Sequence, residues 1–138
     1  MTATYASLLA GTTAPGLYAW RGDPTRDLAS EAERAGWRAL TLDTRDVGSV
    51  EGFWDAVAAG WSLPEWFGRN LDALFDVLAD LTGTPVVLVW DGLGPVSDID
   101  PVLVAAVVDV LRDASGRATA FAVVVCDGPG VSGLDELQ

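Results

Sequence analysis

A chain of 138 residues and 14.4 kDa, half of it hydrophobic, has the size of one domain with a substantial core. Its 8 basic residues face 20 acidic ones for a net charge of −12, which opposes binding to nucleic acid or an anionic membrane and favours a basic partner. The absence of His and Lys excludes imidazole bases and metal ligands, Ser-His-Asp triads, Schiff-base lysines and P-loops, while a lone Cys126 excludes an intramolecular disulfide or multi-Cys metal site.

The first fourteen residues are small and polar, and residues 128–138 are rich in Gly and acid, so both ends are expected to be flexible. Between them, apolar runs alternate with helical patterns. Gly16–Trp20 is the first strand candidate. Asp23-Pro24 then offers an N-cap and N1 pair for a helix carrying Leu28, Ala29, Ala32 and Ala35. Trp37–Leu42 reads as a strand near a sheet edge, because Arg38 interrupts its apolar run. A helix over about Val50–Ala59 places Val50, Phe53, Trp54, Val57 and Trp61 on one face. Asn70 can cap a further helix, Leu71–Leu81, with an apolar stripe of Leu71, Leu74, Phe75, Leu78 and Leu81. Thr84-Pro85 opens the strand Val86–Trp90. Asp100-Pro101 starts a helix to about Ala114, and Phe121–Cys126 is the last strand. The continuously apolar VVLVW and FAVVVC suit the middle of a parallel sheet buried on both faces. The pattern predicts an α/β fold with a short parallel sheet of three to four strands and packed helices. No basic stretch precedes the apolar patch near the N-terminus, and no apolar run approaches the ~18 residues of a membrane span. A cytoplasmic protein is expected.

Asp43, Asp91 and Asp127 each follow a predicted strand, where open parallel sheets place ligands. They could form a magnesium-binding signalling pocket. The plainer reading is that Asp favours turns after strands, and the Lys of a receiver domain is missing. Gly92-Leu93-Gly94 lacks the third Gly of a dinucleotide motif, and Cys126 has no His to activate it. The stretch LPEWFGRNLDALFD, residues 63–76, is harder to dismiss. Asp72, Asp76 and Asp80 recur at i, i+4 and i+8 opposite the Leu face, a spacing at which like charges repel. Trp66 and Phe67 stand just before them in a loop bounded by Pro, Gly and Asn. Rigid aromatics beside unpaired carboxylates suit a cationic cleft; a merely solvated acidic face with Trp66 tucked onto the core fits the residues equally well.

The segment LPEWFGRNLDALFDVL followed by TPVVLVW resembles the barstar family, intracellular inhibitors of secreted ribonucleases such as barnase. The family pattern falls on Leu63, Pro64, Trp66, Phe67, Gly68, Asn70, Leu71, Asp72, Ala73, Leu74, Phe75 and Asp76, and weaker similarity runs from about Leu40 to Cys126. The resemblance implies an inhibitory surface made by the loop and the acidic helix. It places Asp72 and Asp76 as the inhibitory carboxylates, Trp66 and Gly68 in the contacting loop, Phe75 as an aromatic at the surface, and Asp113 as a further acidic contact. It also implies a cis Thr84-Pro85 bond, and it makes residues 15–39 an N-terminal addition to the core. Gly68 is expected to hold a conformation or close approach that a Cβ obstructs. Trp66 stands where the family more usually has Tyr, and Arg69 adds a positive charge that could pair with Asp72 or repel a cationic target.

The implied function is inhibition of a secreted, cationic ribonuclease of the barnase-like or guanyl-specific type by a monomeric protein that protects the producing cell. No catalysis, cofactor or metal is required. The alternatives are a barstar-like module for a non-nuclease protein and the Asp-rich magnesium-binding domain.

Overall fold

The computed structural model describes residues 3–126 and 134–138. Its strands are β1 (Leu17–Trp20), β2 (Arg38–Asp43), β3 (Val86–Asp91), β4 (Phe121–Val125) and β5 (Asp135–Leu137). They form one parallel sheet in the order β2-β3-β4-β1-β5. The helices are α1 (Tyr5–Leu9), α2 (Leu28–Arg34), α3 (Val50–Gly60), α4 (Leu71–Leu81), α5 (Leu93–Ile99) and α6 (Pro101–Arg117). The α/β class and the parallel sheet stand as expected, with five strands rather than three to four. Among the described residues no helix is long and apolar enough to cross a membrane.

The central strands explain the two-sided core. Along β3, Val86, Leu88 and Trp90 point to one face while Val87 and Val89 point to the other, and β4 divides in the same way. α3, α4, α5 and α6 cover the first face with Phe53, Trp54, Leu74, Leu78, Val96, Val107 and Leu111. α1 and α2 cover the second with Tyr5, Leu8, Leu28 and Ala32. Every residue of β3 before Asp91, and all of β4, is buried. Edge strand β2 alternates instead, with Arg38 exposed.

Several expectations need correction. The N-terminal segment is not loose throughout, since Thr4 caps α1 and buries Tyr5 and Leu8 beneath it. The C-terminal end is likewise held where it is described. β5 pairs with β1, Leu137 is fully buried, and the Tyr5 amide donates to the Gln138 carbonyl at 2.6 Å. Residues 127–133, including Asp127, lie outside the described residues. α2 starts later than expected: Asp27, accepting from the Ser30 amide at 3.1 Å, is its cap. Asp23 instead accepts from Thr25, closing a local turn. α6 has the expected Asp100 cap and Pro101 first residue. The Thr84-Pro85 bond is trans rather than cis. An extended entry lets the Pro85 carbonyl accept from Arg38 and the Val86 amide donate to Ala120, so both neighbouring segments are engaged from the first residue.

At the carboxyl ends of the strands the loops are locked together. The buried Thr44 hydroxyl donates to the Gly92 carbonyl at 2.6 Å and accepts from the Trp90 indole at 2.9 Å. Gly92 has φ +89°, and a Cβ there would collide with the backbone of Arg45. Only glycine fits that approach at low cost.

Candidate protein-binding site

The acidic helix forms where its cap and apolar stripe dictate. The Asn70 side-chain oxygen accepts from the Ala73 amide at 2.8 Å, satisfying one of the free donors of the first turn. Leu74 and Leu78 are buried, while Leu71, Phe75 and Leu81 are half-buried at the margin of that stripe. The opposite face is left to Asp72, Asp76 and Asp80. All three are exposed, and none has a hydrogen bond or ion pair among the described residues. Asp72 lies in the first turn, where the helix dipole favours an anion.

The preceding loop is anchored from beneath. Phe67 is buried and meets Trp54 of α3 with ring centroids 6.2 Å apart. Its amide donates to the Pro64 carbonyl at 3.0 Å. With Phe67 directed inward, Trp66 projects outward and is 82% exposed. Arg69 holds a left-handed backbone, φ 51°, and its guanidinium pairs with Asp55 on α3. The cation thus pairs with α3, and among the described residues it forms no ion pair with Asp72. Gly68 is exposed and its φ is not left-handed, so the strained backbone belongs to Arg69. A Cβ at Gly68 would nevertheless lie 3.2 Å from both the Ala73 Cβ and the Asn70 Nδ2, crowding the cap itself.

Phe75 and Asp113 meet through a residue that the sequence reading did not single out. Arg117 carries its guanidinium 5.2 Å from the Phe75 ring centre and places Nε 3.2 Å from an Asp113 carboxylate oxygen. The i, i+4 spacing of Asp113 and Arg117 was a legible sign of that pair; the contact with Phe75 required the packing of α4 against α6. Trp66, Asp72 and Asp76 thus belong to one continuous loop and helix, and Phe75 links them to the α6 end.

The strand-end aspartates behave differently. Asp43 accepts two bonds from the Arg45 guanidinium, at 2.9 and 2.7 Å, and this hydrogen bonding holds its carboxyl below the usual value. Among the described residues no three Asp, Glu, Cys or His side chains gather as a metal-ligand set. Cys126 is half-buried just beyond β4.

Comparison with known proteins adds to this geometry. Over 52 residues the chain is 36% identical to a Bacillus subtilis (strain 168) protein named "Putative ribonuclease inhibitor YrdF". That match covers 38% of this chain and 57% of the relative, so it spans little more than half of the relative's length. A family model described as "Barstar (barnase inhibitor)" matches residues 37–126, from the start of β2 through the end of β4 and including the loop and acidic helix. The chain belongs to the barstar family.

Proposed function

We propose that this chain inhibits a secreted, cationic ribonuclease of the barnase-like or guanyl-specific type by filling its active-site cleft. The observation that carries this reading is the row of exposed, unpartnered carboxylates on α4 beside the outward Trp66. A ribonuclease cleft gathers cationic side chains that hold phosphates. Asp72 and Asp76, fixed on a capped helix, substitute for those phosphates through charge-assisted hydrogen bonds. Trp66 covers the contact and excludes water around it, as rigid aromatics do at interface hot spots. The helix is held by its cap and by packing before the partner arrives, so little ordering cost is left for binding. A net charge of −12 steers a basic target towards this face.

In this reading the chain acts as a monomer in the cytoplasm, performs no catalysis and protects the producing cell from its own nuclease. Family membership and the ribonuclease-inhibitor name of the relative support the inhibitor class. The test is a titration of purified barnase, cleaving a fluorogenic RNA, with this protein at several salt concentrations. Stoichiometric inhibition with an association rate that falls as salt rises supports the proposal. Undiminished cleavage at a large excess of the protein contradicts it.

A further inference from the structure

Resting on that reading, we infer that Arg117 is a specificity-determining residue: it occupies Asp113 and disfavours ribonucleases that present a cation opposite the α6 end of the surface. Asp72, Asp76 and Asp80 have no ion-pair partner among the described residues, whereas Asp113 does. The α6 end therefore presents a compensated pair rather than a bare carboxylate. Arg117 is also tied to the acidic helix, since its guanidinium lies over Phe75, the residue immediately before Asp76. Beneath it runs a groove of about 310 Å³ between the last turns of α4 and α6, lined by Phe75, Ala79, Thr82, Ala114 and Thr119.

Two further facts give Arg117 a role towards a partner. Its side chain is 69% exposed, so an approaching protein meets the charge directly. Only Nε faces Asp113, and the terminal amino nitrogens have no acceptor among the described residues. A guanidinium in that state offers a fork to a carboxylate or carbonyl and repels an Arg or Lys. A basic residue in the last turn also suits the helix dipole. That accounts for a cation at the end of α6 but assigns it no effect on binding. The surface thus favours a target that is cationic opposite α4 alone and penalises one whose cationic cleft extends opposite α6, as the proposed reading takes that of barnase to do.

The experiment measures barnase inhibition by the wild type and by R117Q, R117E, R112Q, D113N, D76A and the double variant R117Q/D113N, with thermal unfolding followed in parallel. Arg112 is exposed on the same helix, so R112Q makes the same charge change without touching the contacts of Arg117 with Asp113 and Phe75. The expected result is that R117Q tightens inhibition by about fivefold, the size of a close charge effect at an interface rim, and R117E by more. R112Q should gain less, and adding D113N should remove the part of the R117Q gain that the freed carboxylate supplies, leaving the part that comes from losing the repelling cation. Melting temperatures of the Arg variants should stay close to wild type. Inhibition by the wild type that D76A weakens, with R117Q within twofold or weaker, overturns this inference and leaves the ribonuclease reading standing. Absence of inhibition by both the wild type and R117E overturns both.

Discussion

Adjacent aromatics in the 62–70 loop should respond oppositely to truncation. Phe67 is 5% exposed and packs on Trp54, so Phe67→Ala removes a buried ring and leaves a cavity between the loop and α3. Such changes cost about 3–5 kcal/mol, and at this chain length that lowers the melting temperature by on the order of 10–15 °C. Trp66 is 82% exposed, so Trp66→Ala should stay within about 0.5 kcal/mol of wild-type stability. Its cost should fall on binding instead, at about 2 kcal/mol or more, roughly thirtyfold in Kd. Urea unfolding of both variants, alongside isothermal titration against barnase, separates the two effects. A stability loss at Trp66 equal to that at Phe67, or unchanged affinity in Trp66→Ala, would refute the division of the loop into an inward anchor and an outward contact.

Asn70→Ala removes the acceptor of the Ala73 amide and should cost about 0.5–2 kcal/mol in urea unfolding, with loss of helix signal at the α4 amides. Gly92→Ala must place a Cβ against the Arg45 backbone at φ +89° and should lower the melting temperature markedly, whereas Gly116→Ala, which meets no atom within 4 Å, should not. Asp27 accepts from the Ser30 hydroxyl and amide, which hold its carboxyl below the ordinary value. A depressed folded-state pKa gives stability that is present above the unfolded carboxylate value of about 3.9 and lost as pH falls through the lower folded value. Asp27→Asn keeps a capping oxygen but cannot titrate, so its melting temperature should lie below wild type at neutral pH and converge with it in acid.

The legible parts of the fold were those fixed by local chemistry. The bounds of α4 follow from the Asn70 cap and the Leu stripe, and β3 and β4 follow from apolar runs that only a two-sided core can bury. α5 was missed because Gly92-Leu93-Gly94-Pro95 has the composition of a turn; tertiary packing of Leu93 and Val96 outweighs that propensity. The short α1 and β5 carry too little periodicity to be read locally. Both depend on long-range pairing, the Tyr5 amide to Gln138 and β5 to β1. In the site, helical spacing was enough to read the exposure of Asp72 and Asp76. The Arg69–Asp55 and Arg117–Phe75 contacts were not readable in the same way, because the first ties the loop to α3 and the second joins α6 to α4.

The central claim is that α4 holds its carboxylates for a partner rather than for the fold. Asp76 is exposed, has no partner among the described residues and lies one turn from both Asp72 and Asp80. Replacing it by Ala should leave stability unchanged or raise it by up to about 1 kcal/mol, since two i, i+4 repulsions are relieved. The same change should weaken ribonuclease inhibition by at least ~2 kcal/mol, because it strands cationic groups buried in the target cleft. The direct measurement is the inhibition constant of Asp76→Ala against barnase beside its melting temperature. A stable variant whose inhibition is weakened at least thirtyfold agrees with the account. A variant that inhibits as well as wild type contradicts it.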